Sequence, residues 1–305
     1  MKKLKRNFRH AILLASLLAT VGCEKENLES DENSINSNIS NERTASLTFN
    51  KSKDILIAQF DGKPDADDIH SVAALGCMLN HSDLSGVNYF AVQGAYGNQS
   101  GTFIQARTLY NKVFGAENTK WTDANANKTV SVNKVHGIVK NILQSGGKSW
   151  VQEAGQSSFT KLWVAKLIAD GISESLIKSN VIVVQHSKWN EDHTNSSDLT
   201  YVKQKTTYQP IDDGNQDSGT GPNRGPDTPN YKSSSTSFLN NAINSQNAKA
   251  KDFWKTAKDI ISASGFNASY STIPSGGVDF SDCVENFGFL KLQVQVVLLI
   301  FGTDM

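Results

Sequence analysis

Apolar positions in this chain cluster in short blocks separated by longer amphipathic stretches. The runs at 55–60 (ILIAQF), 87–92 (VNYFAV), 150–154 (WVQEA) and 181–185 (VIVVQ) read as buried strands. Between them, residues 67–79, 102–113, 132–143 and 159–170 carry apolar positions at helical spacing. This alternation predicts an α/β fold, a mostly parallel sheet flanked by helices. A further helix is predicted over 248–264, with Phe253, Trp254 and Ile260 or Ile261 turned inward. In such sheets ligands sit beyond the carboxyl ends of the strands. The loop after the first predicted strand, "DGKPDADD" (61–68), lies there.

Outside these blocks the pattern changes. Residues 1–22 join a basic front (Lys2, Lys3, Lys5, Arg6, Arg9) to an apolar core ending at Gly22. This reads as an export signal, too short to span a bilayer comfortably. Cys23 falls where cleavage is expected, as at a bacterial lipoprotein site, so a lipid anchor at Cys23 is the expected membrane attachment. An ordinary secretory signal is the alternative. Residues 23–52 are polar and read as a flexible tether, leaving 53–305 for one domain. The acidic residues after Cys23 resemble export signals of surface lipoproteins. The expected location is the outer membrane or cell surface, or alternatively the periplasm. The stretch "QPIDDGNQDSGTGPNRGPDTPNYKSSSTSF" (209–238) reads as a long polar loop. The apolar run at 289–305 fits either a last strand or an altered tail.

Thirty basic residues balance thirty acidic ones. No basic patch with interleaved aromatics occurs, which argues against a nucleic acid polymer as partner. Cys77 and Cys283 lie in apolar patterns and read as core thiols, with a disulfide as the alternative.

The chemistry concentrates in Asp61, Asp65, Asp67 and Asp68. Carboxylates this close repel one another. A helix N-terminus offsets only about 0.3–1 kcal/mol each. A hard divalent cation such as Ca2+, which takes six to eight oxygens, would offset far more. The bland alternative is a solvated loop in which one aspartate caps the helix. Two other patterns fail. Asp213-x-Asn215-x-Asp217 starts like an EF-hand loop, but Ser218 and Arg224 occupy the positions that need glycine and glutamate. A haloacid-dehalogenase phosphatase would want an aspartate two positions after Asp61, where Lys63 stands.

The aspartate loop resembles the N-terminal signature of the nucleoside hydrolases, Asp-x-Asp-Pro-Gly-x-Asp-Asp. It is closer to that of secreted nucleoside-hydrolase-like proteins, Asp-x-Gly-Gly-Asp-x-Asp-Asp. Asp61, Asp65, Asp67 and Asp68 fall on the aspartates of the second pattern, while Gly62, Lys63 and Pro64 depart from the usual loop residues. The likeness runs on through "VNYFAVQGAYGNQSGTFIQARTL", "VQEAGQSSFTKLWVAKLI" and "GGVDFSDCVENF", covering about residues 54–289 in the family's order. It implies a nucleoside-hydrolase-like fold holding Ca2+ through Asp61, Asp68, the Ser158 carbonyl and Asp282, with Asp65 as a further ligand. It implies Asp61 as general base and Asp67 and Asn98 as sugar-binding residues. Asn190 and Glu191, from the segment "VIVVQHSKWNEDHT", and the later Gly214-Asn215 are sugar-binding candidates. Ser281 replaces the family's late histidine, so a different leaving-group donor is needed; His186 and His193 are the alternatives. Trp189 could stack on a sugar or base, or simply pack.

The expected activity is calcium-dependent hydrolysis of an N-glycosidic or related glycosidic bond in a sugar-containing small molecule or glycan fragment. The alternatives are a glycosidase acting on glycan fragments and a surface carbohydrate-binding lipoprotein without turnover.

Overall fold

The computed structural model describes residues 48–215, 228–269 and 271–286. Strands β1 (Ile55–Phe60), β2 (Tyr89–Gln93), β3 (Trp121–Asp123), β4 (Ser149–Ala154), β5 (Val181–His186) and β6 (Thr207–Ile211) form one sheet in the order β3-β2-β1-β4-β5-β6. Its pairings are all parallel. The helices are α1 (Asp67–Leu79), α2 (Arg107–Phe114), α3 (Lys128–Gln144), α4 (Ser158–Ala169), α5 (Glu174–Asn180), α6 (Lys188–His193), α7 (Ser196–Lys205), α8 (Thr236–Ile243) and α9 (Ala248–Ser264).

The apolar runs form strands because both faces of the sheet are covered. Along each strand, side chains alternate between the faces. Leu56, Ala58 and Phe60 of β1 join Trp150 and Ala154 of β4 and Ile182 and Val184 of β5 in one core, under α1, α2 and α9. Ile55, Ile57, Val151, Val181 and Val183 fill the other, under α3, α4 and α7. The fold class expected from the hydrophobic pattern is therefore present.

Several boundaries differ from the sequence reading. Residues 102–106 do not join α2. Ile104 N bonds Gly62 O at 2.9 Å and Ala106 N bonds Gln93 Oε1 at 3.0 Å, which holds this segment out of the helix. The short β3 and the edge strand β6, with Pro210 inside it, escaped the pattern; an edge strand tolerates proline. The expected polar loop at 209–238 begins inside β6 and ends inside α8. Residues 48–52 of the expected tether belong to the fold: Phe49 is buried against Trp150, with ring centroids 6.2 Å apart. The export signal, Cys23, the rest of the tether and the apolar run at 289–305 lie outside the described residues.

A two-stranded antiparallel ribbon of β7 (Lys232–Ser233) and β8 (Val278–Asp279) brings the late chain back to the sheet. Val278, Phe280, Cys283 and Val284 enter the first core. A 3-10 turn at Ser281–Cys283 then presents Asp282 to the loop after β1. Cys77 and Cys283 are buried free thiols, and burial pushes the Cys77 thiol up to about 12. Among the described residues, no helix is long and apolar enough to cross a membrane.

Candidate metal centre and active site

β1 and β4 are neighbours in the sheet, yet the chain leaves them toward opposite edges. The crevice between their carboxyl ends is the switch point of the sheet. A cavity of 510 Å³ opens there. Asp61, Lys63, Asp65 and Asp67 line it from the loop after β1, Gly155 from the end of β4, and His186, Trp189 and Asn190 from the end of β5 onward. Asp213, Asn215 and Asp282 complete it.

Four strands, β1, β2, β4 and β5, each supply a buried glutamine that braces a neighbouring segment. Gln59 Nε2 bonds Thr160 Oγ1 at 2.9 Å, and Gln93 Nε2 bonds Asp123 Oδ2 at 2.9 Å. Gln152 Nε2 donates to the Asp282 carbonyl at 2.6 Å, and Gln185 Nε2 donates to the Gly155 carbonyl at 2.5 Å. A buried amide that holds another segment's carbonyl fixes both in one geometry. Gly155 has φ of +121°, and a Cβ there would overlap the Asp61 carboxylate. Only glycine fits that contact.

Carboxylate oxygens of Asp67, Asp68 and Asp282 all lie within 4.8 Å of one another. Oxygens that share one calcium at about 2.4 Å can lie at most about 4.8 Å apart, so the three could share one. Asp68 Oδ2 accepts the Gly62 N–H at 2.5 Å, while its buried Oδ1 has no partner. Asp61 is held beside it: Oδ1 accepts from Lys63 N at 3.0 Å and Oδ2 from Gln99 Nε2 at 2.5 Å. Among the described residues, no lysine or arginine comes within ion-pair distance of Asp61, Asp65, Asp67, Asp68 or Asp282. Burial is the main cause that lifts all four inner carboxyls. Asp61 rises to about 6, with Asp65 adding to the push against hydrogen bonds from Asp68, Lys63 and Gln99. Asp67, Asp68 and Asp282 rise well above the usual carboxylate range, each pushed further by the other aspartates. Buried like charges, an orphaned oxygen and three convergent carboxylates make a donor set that fits a hard divalent cation.

Across the cavity, His186 ends β5 and is buried. Its Nδ1 meets Glu285 Oε1 at 2.8 Å, and its Nε2 lies 3.7 Å from Asp282 Oδ1. Burial lowers the His186 pKa, but Glu285, Asp213 and Asp279 together outweigh it and the net direction is up. Ser187 then takes φ of +69°, a strained conformation for a residue with a side chain, and its Oγ accepts from Trp189 N at 3.1 Å to start α6. Trp189 stacks on His193 with centroids 3.8 Å apart and is 42 % exposed at the cavity edge.

No family model, curated protein or solved structure matches this chain.

The site expected from the sequence is thus partly assembled. Asp61, Asp65, Asp67, Asp282 and Asn190 all line the cavity, and Asp68 stands behind them. Asn98 is exposed and away from the lining; its neighbour Gln99 is the one that reaches Asp61. Ser158 starts α4 with its side chain against Gly97, and Gly155 is the member of that segment on the cavity wall. Glu191 faces a separate hollow, where it takes Tyr208 O–H at 3.0 Å and Lys203 Nζ at 2.8 Å. Gln99, Gly155, Asp213 and Glu285 were not singled out as ligand-site residues. Only the run of glutamines at strand ends could have signalled the bracing amides.

Glu153 is a buried acid outside the cavity lining. Glu153 Oε2 accepts from Ser157 Oγ at 2.7 Å, and Oε1 has no partner. Burial, with Glu285 and Glu191 nearby, raises its pKa from 4.5 to about 7. The folded state therefore keeps a proton that the unfolded chain releases above about pH 4.5. Stability falls as pH rises from there to about 7, by about 3 kcal/mol at full effect. Glu153→Gln removes this loss. The melting temperature of the variant should exceed wild type at pH 8 and approach it at pH 5, and an equal offset at both pH values would reject the assignment.

Proposed function

We propose that this chain is a calcium-dependent hydrolase that cleaves an N-glycosidic or related glycosidic bond, on a nucleoside-hydrolase-like α/β domain. The observation that carries the reading is the convergence of Asp67, Asp68 and Asp282 beside Asp61, at the mouth of the switch-point crevice. Asp67, Asp68 and Asp282 would hold the ion, with Asp65 in reach as a further donor. Calcium, when bound, would supply a positive centre that acidifies a coordinated water and orients sugar hydroxyls.

The remaining chemistry belongs to the chain. Asp61, held by Lys63 N and Gln99, accepts a proton from the attacking water. The water oxygen bonds to the anomeric carbon as the bond to the leaving group breaks, through an oxocarbenium-like transition state. His186 replaces the donor that Ser281 cannot provide. Glu285 holds its Nδ1, which leaves Nε2 to donate to the departing nitrogen or oxygen. Ser281 itself is buried, with its hydroxyl on Asp279 at 2.9 Å.

A second reading, carbohydrate binding without turnover, is favoured by Trp189, an aromatic face left 42 % exposed at the cavity edge. A screen of nucleosides and oligosaccharides, with calcium or with chelator, separates the two. The hydrolase reading expects a product that forms only with calcium. It also expects the ion to raise the melting temperature, since saturation at a hundred times Kd adds about 2.7 kcal/mol. Tight sugar binding with no product would leave the binding reading in its place. The anchor proposed at Cys23 has its own test. Fatty-acid labelling should vanish in Cys23→Ala, and equal labelling would reject it.

A further inference from the structure

Two lysines that share one tyrosine ring have no role in the chemistry above. Lys63 replaces a small loop residue of the pattern this loop resembles, and it lines the cavity. Its Nζ stands 3.9 Å from the centroid of Tyr96 and donates to the Gln99 carbonyl at 2.9 Å. Lys128 Nζ stands 5.0 Å from the same centroid and donates to the Tyr96 carbonyl at 3.2 Å. Among the described residues, neither ammonium has a carboxylate within ion-pair distance. Two like charges are thus held against one ring, although a wall of aspartates stands close by.

Local stability does not explain this placement. Lys128 is the first residue of the seventeen-residue α3, where the helix dipole disfavours a cation. Burial, and then the Lys63 charge, lower its pKa, so the two ammoniums sense each other. The ring between these contacts is itself fixed, since Tyr96 O–H donates to Asn125 Oδ1 at 2.7 Å. Each carbonyl contact uses one of three ammonium protons and leaves donors for a ligand. Aspartates along the cavity disfavour an anion, and such a pair offers it a positive partner.

We propose that Lys63 and Lys128, set on the Tyr96 ring, form a subsite for an anionic substituent of the substrate: a carboxylate, sulfate or phosphate carried on the sugar or its leaving portion. This rests on the reading of the cavity as a glycoside site. The subsite makes a charged glycan fragment or phosphorylated glycoside the preferred class over a neutral nucleoside. Recognition is by charge-assisted hydrogen bonds, which are about twice as strong as neutral ones.

Calorimetric titration of the calcium-loaded protein tests it with four matched methyl glycosides, which are neutral, carboxylated, sulfated and phosphorylated, and with inorganic sulfate alone. At least one anionic glycoside should bind ~10-fold or more tighter than the neutral one. Lys63→Met and Lys128→Met, which keep the apolar stems, should bring that ratio to about one, and Lys63→Arg should preserve it. Neutral and charged glycosides that bind equally would overturn the subsite and leave the glycoside reading standing. If no glycoside binds, the glycoside reading fails. The sulfate arm then decides the subsite by itself: sulfate binding lost in both methionine variants upholds it, and sulfate binding absent or unaltered rejects it.

Discussion

Asp61→Asn should lower glycosidic hydrolysis by about 10²–10⁴-fold, the usual loss when a general base is removed. The amide keeps the shape of the carboxylate but cannot take the proton of water. The fold should survive. Asp61 is buried with raised pKa, so removing its charge relieves the repulsion it shares with Asp68. Calcium affinity should persist in weakened form, because Asp67, Asp68 and Asp282 remain convergent. The measurement is initial rate at saturating substrate, with melting temperature and calcium titration on the same preparation. A variant that hydrolyses at the wild-type rate, with altered ion affinity alone, would remove Asp61 from the chemistry.

His186→Gln should produce a loss that depends on the leaving group. With a poor leaving group, one that needs a proton to depart, the rate should fall by about 10²–10⁴-fold. With an activated group such as nitrophenolate, which departs as a stable anion, the rate should fall far less. Glu285→Gln should follow the same pattern at smaller size, since Glu285 touches only the far side of the imidazole at Nδ1. A uniform loss across leaving groups would mean that His186 shapes the cavity, through its 3.7 Å approach to Asp282, and donates nothing. The contrast uses rate ratios within one variant, so partial misfolding cancels.

The ILIAQF strand and the α1 pattern were legible because burial on both faces of a parallel sheet demands near-continuous apolar runs. The aspartate loop was legible because four carboxylates within eight residues repel one another, a feature set by spacing along the chain alone. Asp282 was reached only through resemblance; nothing local to "GGVDFSDCVENF" marks it, and its place depends on Val278, Phe280, Cys283 and Val284 entering the core. The helical spacing at 102–106 misled, because the competing bonds to Gly62 O and Gln93 Oε1 come from other segments.

The sequence by itself determined the layered α/β class, the position of the aspartate loop after the first strand and the identity of most carboxylates at the cavity. Each of these follows from local period or local charge. The tertiary structure decided the strand order, which puts the Gly155 backbone against the Asp61 carboxylate. It decided that Gln99 rather than Asn98 reaches that carboxylate, and that Glu191 turns to Lys203 and Tyr208. It also paired His186 with Glu285, ninety-nine residues apart. These outcomes turn on which way a side chain points once crossover helices have packed, and no spacing along the chain encodes that direction.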